Sequence, residues 1–161
     1  ALSVGLSDGH EMKAGYVKNL AVPEEFTAEK GHGAYLNGHA VHPSCKSELS
    51  VSAVSLYARP REMQRLLAAG YSSRRSRLFG ASALELCYVA CGRLEAFLDL
   101  RGTLRITDAA AAILILEEAG GIVSLPDGNP CIFPDDVRCG RELLGANKPV
   151  HEILSTLMRS V

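Results

Sequence analysis

An α/β fold is the class this sequence predicts, on three observations. Two strongly apolar helical stretches, 82–91 and 109–119, stand on either side of a strand-like run at 94–99. Neither has the polar outer face of a surface helix, so both are expected between layers. Acids fall where strands end and helices begin, at Asp99 and Asp108, where α/β sheets tend to hold their ligands.

The elements follow in order. Residues 2–6 and 12–18 alternate apolar and polar side chains and read as strands joined by a turn at Ser7-Asp8-Gly9. In EEFTAEKGHGAYLNGHAV, Phe26 and Ala28 alternate with polar residues, 30–33 turns, 34–36 runs back, and Asn37-Gly38 signals a hairpin. No helix follows Gly38, so these glycines read as turns and not as a phosphate loop. His39, His42 and Cys45 have an H-x-x-H-x-x-C spacing in a strand exit without a fourth ligand nearby, and read as incidental.

Past a polar stretch, 51–56 reads as a buried strand. Pro60 opens a short amphipathic helix to residue 69, with Met63, Leu66 and Leu67 expected inward. Ser82 with Glu85 three positions on has the form of a capping box, which starts the helix that Gly92 stops. Thr107 and Asp108 open the next helix, and Gly120-Gly121 closes it. Residues 122–125 and 143–146 are strands separated by a turn at Pro126-Asp127-Gly128 and a loop at 129–141. A final helix, 149–158, turns Val150, Ile153, Leu154 and Leu157 to one side.

Composition narrows the classes. With 47% hydrophobic and 22% charged residues over 161, the chain is soluble and globular in character. A formal net charge of -1 argues against a general nucleic-acid binder. No apolar run reaches the length of a membrane span, and no basic segment followed by an apolar one marks a targeting peptide. Five cysteines without short repeating spacings fit reduced thiols, and the expected location is cytoplasmic. Cys87 and Cys91 share a helix face and read as small buried hydrophobes. Ala1 is not a methionine, and the first residues already alternate like an established strand. The chain is expected to be the later part of a longer polypeptide.

The segment GASALELCYVACGRLEAFLDL, followed by TDAAAAILILEEAGG, resembles the C-terminal signature of the inositol monophosphatase family of Mg²⁺-dependent phosphatases. That signature reads G-S/T-A-A-L-x-L-C-x-V-A-x-G-x-L-D-A-y, then W-D-x-A-A-G-x-x-I-x-x-E-A-G-G. Thr107 stands where Trp is usual. The LRGTLRITD linker is closer to the archaeal branch, which includes bifunctional inositol-monophosphatase/fructose-1,6-bisphosphatase enzymes. The resemblance implies a sandwich of alternating α/β/α/β/α layers with its N-terminal part missing. Residues 1–46 are then the tail of an N-terminal antiparallel sheet, and 47–161 a C-terminal α/β domain.

Asp108 leads the candidate residues. An acid in a first helical turn is favoured by the helix dipole by about 0.3–1 kcal/mol, which needs no ligand to explain it. A hard carboxylate beside an apolar helix also suits Mg²⁺, which takes one or two carboxylates and keeps waters and phosphate oxygens. The resemblance implies the ligand role. Gly80 and Ser82 begin a helix whose free N–H groups can approach a polyol or phosphate, and the family uses this loop for substrate. Asp99 corresponds to a family acid that binds a substrate hydroxyl. Arg74, Arg75, Arg77, Arg101 and Arg105 form either a solvated face or, for Arg77 and Arg101, a bidentate grip on phosphate. The family's D-P-L/I-D-G-T metal motif is not in this sequence, and Asp135-Asp136 lacks the Gly-Thr that would follow. The chain alone is therefore expected to be inactive. The implied function is Mg²⁺-dependent hydrolysis of small sugar or polyol phosphates by a homodimer. The alternative is a non-catalytic relative that binds a phosphorylated ligand or a protein partner.

Overall fold

The computed structural model describes residues 1–133 and 136–160, so Pro134, Asp135 and the expectations placed on them lie outside the described residues. Five antiparallel strands form the first sheet in sequence order: β1 (Leu2–Ser7), β2 (Met12–Asn19), β3 (Glu24–Glu29), β4 (Ala34–Leu36) and β5 (His39–Ala40). The turns at 8–11, 30–33 and 37–38 are those the sequence predicts, while the β2–β3 turn at 20–23 carried no prediction. One finding concerns the turn at 30–33. Its N–H groups at Gly31 and Gly33 donate to the Glu118 carboxylate at 2.9 and 3.0 Å. A side-chain acid takes the place an anionic ligand would have had.

The second sheet is mixed. Strands β6 (Ala53–Tyr57), β7 (Arg75–Arg77), β8 (Ala96–Arg105), β9 (Ile122–Ser124) and β10 (Gly140–Ala146) lie in the order β7-β6-β8-β10-β9. β6 runs parallel to β7 and β8, while β10 is antiparallel to β8 and β9. Helices α1 (Met63–Ser72), α2 (Ser82–Ala90), α3 (Ile106–Glu118) and α4 (Lys148–Ser160) complete the chain.

Period-two alternation in β6 and β8 divides the core. Tyr57 and Phe97 face α2 and α3, joined there by Val17 and Phe26 of the first sheet, and Leu104 reaches the same side only beyond a register shift in the β8–β10 pairing that inverts the alternation. Leu56, Leu98 and Leu100 face the other way, against Ala69 of α1 and Val150, Leu154 and Met158 of α4. The described layers are therefore sheet, helix pair, sheet, helix pair. Helix α3 lies close on the first sheet because both surfaces are small, Gly5 and Gly15 in the strands against Ala111 in the helix.

Several expected boundaries move. β8 continues to Arg105 because Gly140 and Arg141 pair with Arg105 and Leu104, so Asp99 sits inside a strand and not at its end. Helix α3 starts at Ile106, which puts Asp108 third in its first turn. Met63 and Leu67 are 45% and 43% exposed, contrary to the inward placement expected of them; Leu67 lines an open groove beside α1, and Met63 is the first residue of that helix. Ile153 is likewise 39% exposed, and His151 and Ser155 take inner positions on α4. Gly92, at φ 73°, ends α2 as expected: its N–H and that of Arg93 bond back to Val89 and Tyr88.

All five cysteines are free thiols, with Cys87 buried and Cys91 half-buried. Among the described residues no helix is long and apolar enough to cross a membrane. The crossover between sheets is held by buried Glu95, which accepts from Ala53 N–H at 2.6 Å and Ser44 Oγ at 3.0 Å and pairs with Lys46 at 3.0 Å.

Candidate active site

Two helix N-termini meet at one groove. Gly80, Ala81 and Ala83 from the start of α2, with Thr107 and Asp108 from the start of α3, line a depression of about 310 Å³ together with Ala1 and Ser3. Gly80 adopts φ 82°, a left-handed conformation that glycine takes without strain, and this turns the chain into α2. The N–H groups of a first helical turn have no partner inside the helix, and the dipole there favours negative charge. Two such ends beside one another make the groove a place for an anion, with one carboxylate at its edge.

That carboxylate, Asp108, is 47% exposed and lies 3.4 Å from Arg105. An exposed pair of this length contributes little to stability. Among the described residues no three His, Cys, Asp or Glu side chains converge as a metal cluster. His42 places its Nδ1 3.3 Å from the Ala119 carbonyl oxygen.

Beneath the α2 end of the groove lies a polar network that sequence reasoning missed. The expected capping box forms only in its acid half: Ala81 and not Ser82 is the N-cap, without a side chain to cap with, while Glu85 accepts the Ala81 N–H. Glu85 turns inward and is fully buried. It accepts hydrogen bonds from Ser55 Oγ, Tyr57 Oη and, at 3.1 Å, the Ala81 N–H. Tyr57 Oη in turn accepts the Gly80 N–H at 2.8 Å. A carboxylate without water is costly to bury, and three donors offset that cost. Burial, with the adjacent Glu85, pushes the Tyr57 phenol far above its usual range, so it stays a donor. Only the alternation of Ser55 and Tyr57 in a buried strand hinted that polar groups would face α2.

Asp99 and Arg101 adjoin this network. Asp99 is opposite Tyr57 in the β6–β8 pairing, on the same face, and fully buried. Arg101 grips it with Nε at 3.0 Å and Nη2 at 2.6 Å, and its guanidinium lies 4.3 Å from the Tyr57 ring centroid. Asp99 keeps the guanidinium firmly charged, raising its pKa. Both carboxylate oxygens of Asp99 are thus engaged by Arg101. Arg77 is elsewhere. It lies on the edge strand β7, exposed, and lines an apolar groove of about 510 Å³ with Leu66, Leu67 and Tyr71. Of the six residues named from sequence, Gly80 and Asp108 share a groove, Ser82 begins the helix beside it, and Asp99 and Arg101 connect to it through Tyr57. Arg77 lines the other groove and not this one.

Several known proteins are similar to this chain in sequence and fold. A 145-residue stretch is 40% identical to a fructose-1,6-bisphosphatase/inositol-1-monophosphatase of Methanothermobacter thermautotrophicus, covering 89% of this chain and 52% of that protein. A bifunctional NADP phosphatase/NAD kinase of Methanococcus maripaludis is 35% identical over 149 residues, covering 89% of this chain and 26% of its own length. Among solved structures, the extragenic suppressor protein suhB of Bartonella henselae superposes with TM-score 0.87 at 30% identity, over 98% of this chain and 63% of that one. An inositol monophosphatase from Anabaena gives 0.86 at 28%, over 99% and 65%. The chain spans about half the length of the first of these relatives, 52%. The model of the inositol monophosphatase family matches residues 1–161, and the chain belongs to that family.

Proposed function

We propose that the complete gene product is a Mg²⁺-dependent phosphatase of small sugar or polyol phosphates, inositol 1-phosphate and fructose 1,6-bisphosphate foremost. The observation that carries this reading is the meeting of two helix N-termini and Asp108 on one groove. Relatives named for these two activities, at 40% and 36% identity, support the substrate class.

Asp108 fits a hard cation. Its carboxylate is half exposed, and the one ion pair it makes among the described residues is long. It offers a single oxygen-ligand side chain, as Mg²⁺ accepts when waters and phosphate oxygens complete the shell. When bound, the ion supplies Lewis-acid polarisation of the ester and a water of lowered pKa. This chain's residues hold the substrate. The N–H groups opening α2 and α3 face the phosphate, and Ser82 adds a hydroxyl. Arg101, set by Asp99, is directed to the polyol or to a second phosphate. Asp99 contributes through that pair, and Arg77 is retained as a more distant electrostatic contributor. We further propose a homodimer, supported by the exposed apolar groove of α1, and a cytoplasmic location, supported by the free cysteines. Residues 1–46 and 47–161 are assigned to the two sheets, which share one core.

The test is a phosphatase assay of the complete gene product on both esters with and without Mg²⁺. Turnover that requires Mg²⁺ is expected. Tight binding of the esters without turnover would favour the non-catalytic relative instead.

A further inference from the structure

Tyr57 stands between two groups that the proposed site uses. Its hydroxyl receives the Gly80 N–H at 2.8 Å, and its ring carries the Arg101 guanidinium at 4.3 Å. Its own proton goes to Glu85, which also receives Ser55 Oγ and the Ala81 N–H. A side chain needed only to fill this part of the core would not require a hydroxyl or a buried acid behind it. We infer that Tyr57, anchored by Glu85 and Ser55, is a positioning residue that fixes the α2 N-terminus and Arg101 relative to each other.

The geometry works as follows. Gly80, with nothing within 4 Å of a Cβ position, has no side-chain packing to hold its turn. The two bonds at Gly80 and Ala81 replace that packing. They also spend those two N–H groups on the protein, which leaves the N–H groups of Ser82, Ala83 and Leu84 for a phosphate. On the other face, the cation–π contact and the Asp99 pair keep Arg101 from sweeping into solvent. One rigid residue from a buried strand therefore sets the spacing between a phosphate-binding helix end and a guanidinium. Linked hydrogen bonds of this kind strengthen one another, so losing the hydroxyl loosens the whole turn.

This inference rests on the phosphatase reading, and the experiment separates the two. Wild-type gene product, Tyr57→Phe, Tyr57→Leu and Leu56→Val are assayed with Mg²⁺ on fructose 1,6-bisphosphate, with inorganic phosphate as competitive inhibitor. Tyr57→Phe keeps the ring and should raise KM and the phosphate inhibition constant by roughly tenfold, the scale of one hydrogen bond, with kcat within about twofold. Tyr57→Leu should raise KM further, since Arg101 loses its platform. Leu56→Val, on the opposite face of the same strand, should lower the melting temperature and leave KM alone. A folded Tyr57→Phe with wild-type KM and phosphate inhibition overturns the inference while the phosphatase reading stands. Absence of wild-type turnover overturns both. If Tyr57→Phe does not fold, Ser55→Ala takes its place, with a KM rise of about threefold expected from one lost donor to Glu85. An unchanged KM in that variant overturns the inference.

Discussion

Gly15 and Ala111 meet backbone to backbone: a Cβ on Gly15 would stand 2.6 Å from the Ala111 carbonyl oxygen and 3.1 Å from its Cα. This contact sets how closely α3 lies on the first sheet, and so the height of Asp108 at the helix start. A methyl group there has only backbone to push against. Gly15→Ala should therefore destabilise the fold by about 1–3 kcal/mol, the usual cost of overpacking. Gly5, opposite Gly15 in the β1–β2 pairing, gives a contrast, because its Cβ would first meet the flexible end of Met12 at 2.5 Å. Urea unfolding of the two variants is expected to show the larger loss at Gly15. Equal losses would contradict the close approach of helix to sheet.

His151 gives a pH dependence with a definite sign. It is buried, its Nε2 lies 2.7 Å from Ser124 Oγ, and that hydroxyl donates to Leu125 O at 2.6 Å. Burial lowers the His151 pKa below its ordinary value of 6.5, against a smaller opposing influence of Glu152. The folded state thus prefers the neutral ring. The stability this provides is complete above the unfolded pKa and is lost as pH falls below about 6.5. Unfolding midpoints measured between pH 8 and 5.5 should fall with pH, and His151→Leu should flatten that slope. Burial raises the Glu117 carboxyl toward this window, so the His151→Leu comparison is what isolates the histidine.

The outward face of β1 predicts the behaviour of these 161 residues produced alone. Leu2, Val4 and Leu6 are 48%, 53% and 63% exposed along one edge strand. Such an edge invites pairing with another chain. Self-association by sedimentation is expected, with Val4→Lys weakening it. No Mg²⁺-dependent turnover of inositol 1-phosphate or fructose 1,6-bisphosphate is expected from this polypeptide, because one carboxylate holds a hydrated ion only loosely and a two-metal site needs further ligands shared between its ions. A monomer with turnover would contradict both expectations.

Much of the fold was legible from local chemistry. The Asn37-Gly38 hairpin, the Gly92 stop and the apolar α3 each follow from one residue type in one backbone conformation, or from a clear period. The groove was partly legible, since Gly80 and Asp108 both sit at helix starts. What sequence could not give was the partner of a buried polar group. Glu85 has the spacing of a capping acid, and only the position of Ser55 and Tyr57 across the sheet turns it inward. Asp99 reads as a strand terminus because Arg101-Gly102-Thr103 looks like a turn. Pairing with β10, about forty residues later, extends the strand through it. Arg77 looked close to the site in sequence, but its strand lies at the sheet edge and turns it to another groove.

Asp108→Asn in the complete gene product separates a metal-binding carboxylate from a helix-capping one. The substitution keeps shape and removes the charge that a hard cation needs. The exposed Arg105 pair contributes at most about 1 kcal/mol and the helix dipole about 0.3–1 kcal/mol, so the melting temperature should fall by only a few degrees. Mg²⁺ titration of phosphatase activity, read beside a thermal melt, is the measurement. A large rise in the Mg²⁺ concentration for half-maximal activity is expected together with loss of turnover, with the fold still intact at the assay temperature. A variant with wild-type Mg²⁺ dependence and rate would contradict it and leave Asp108 as an acid that merely favours the helix dipole.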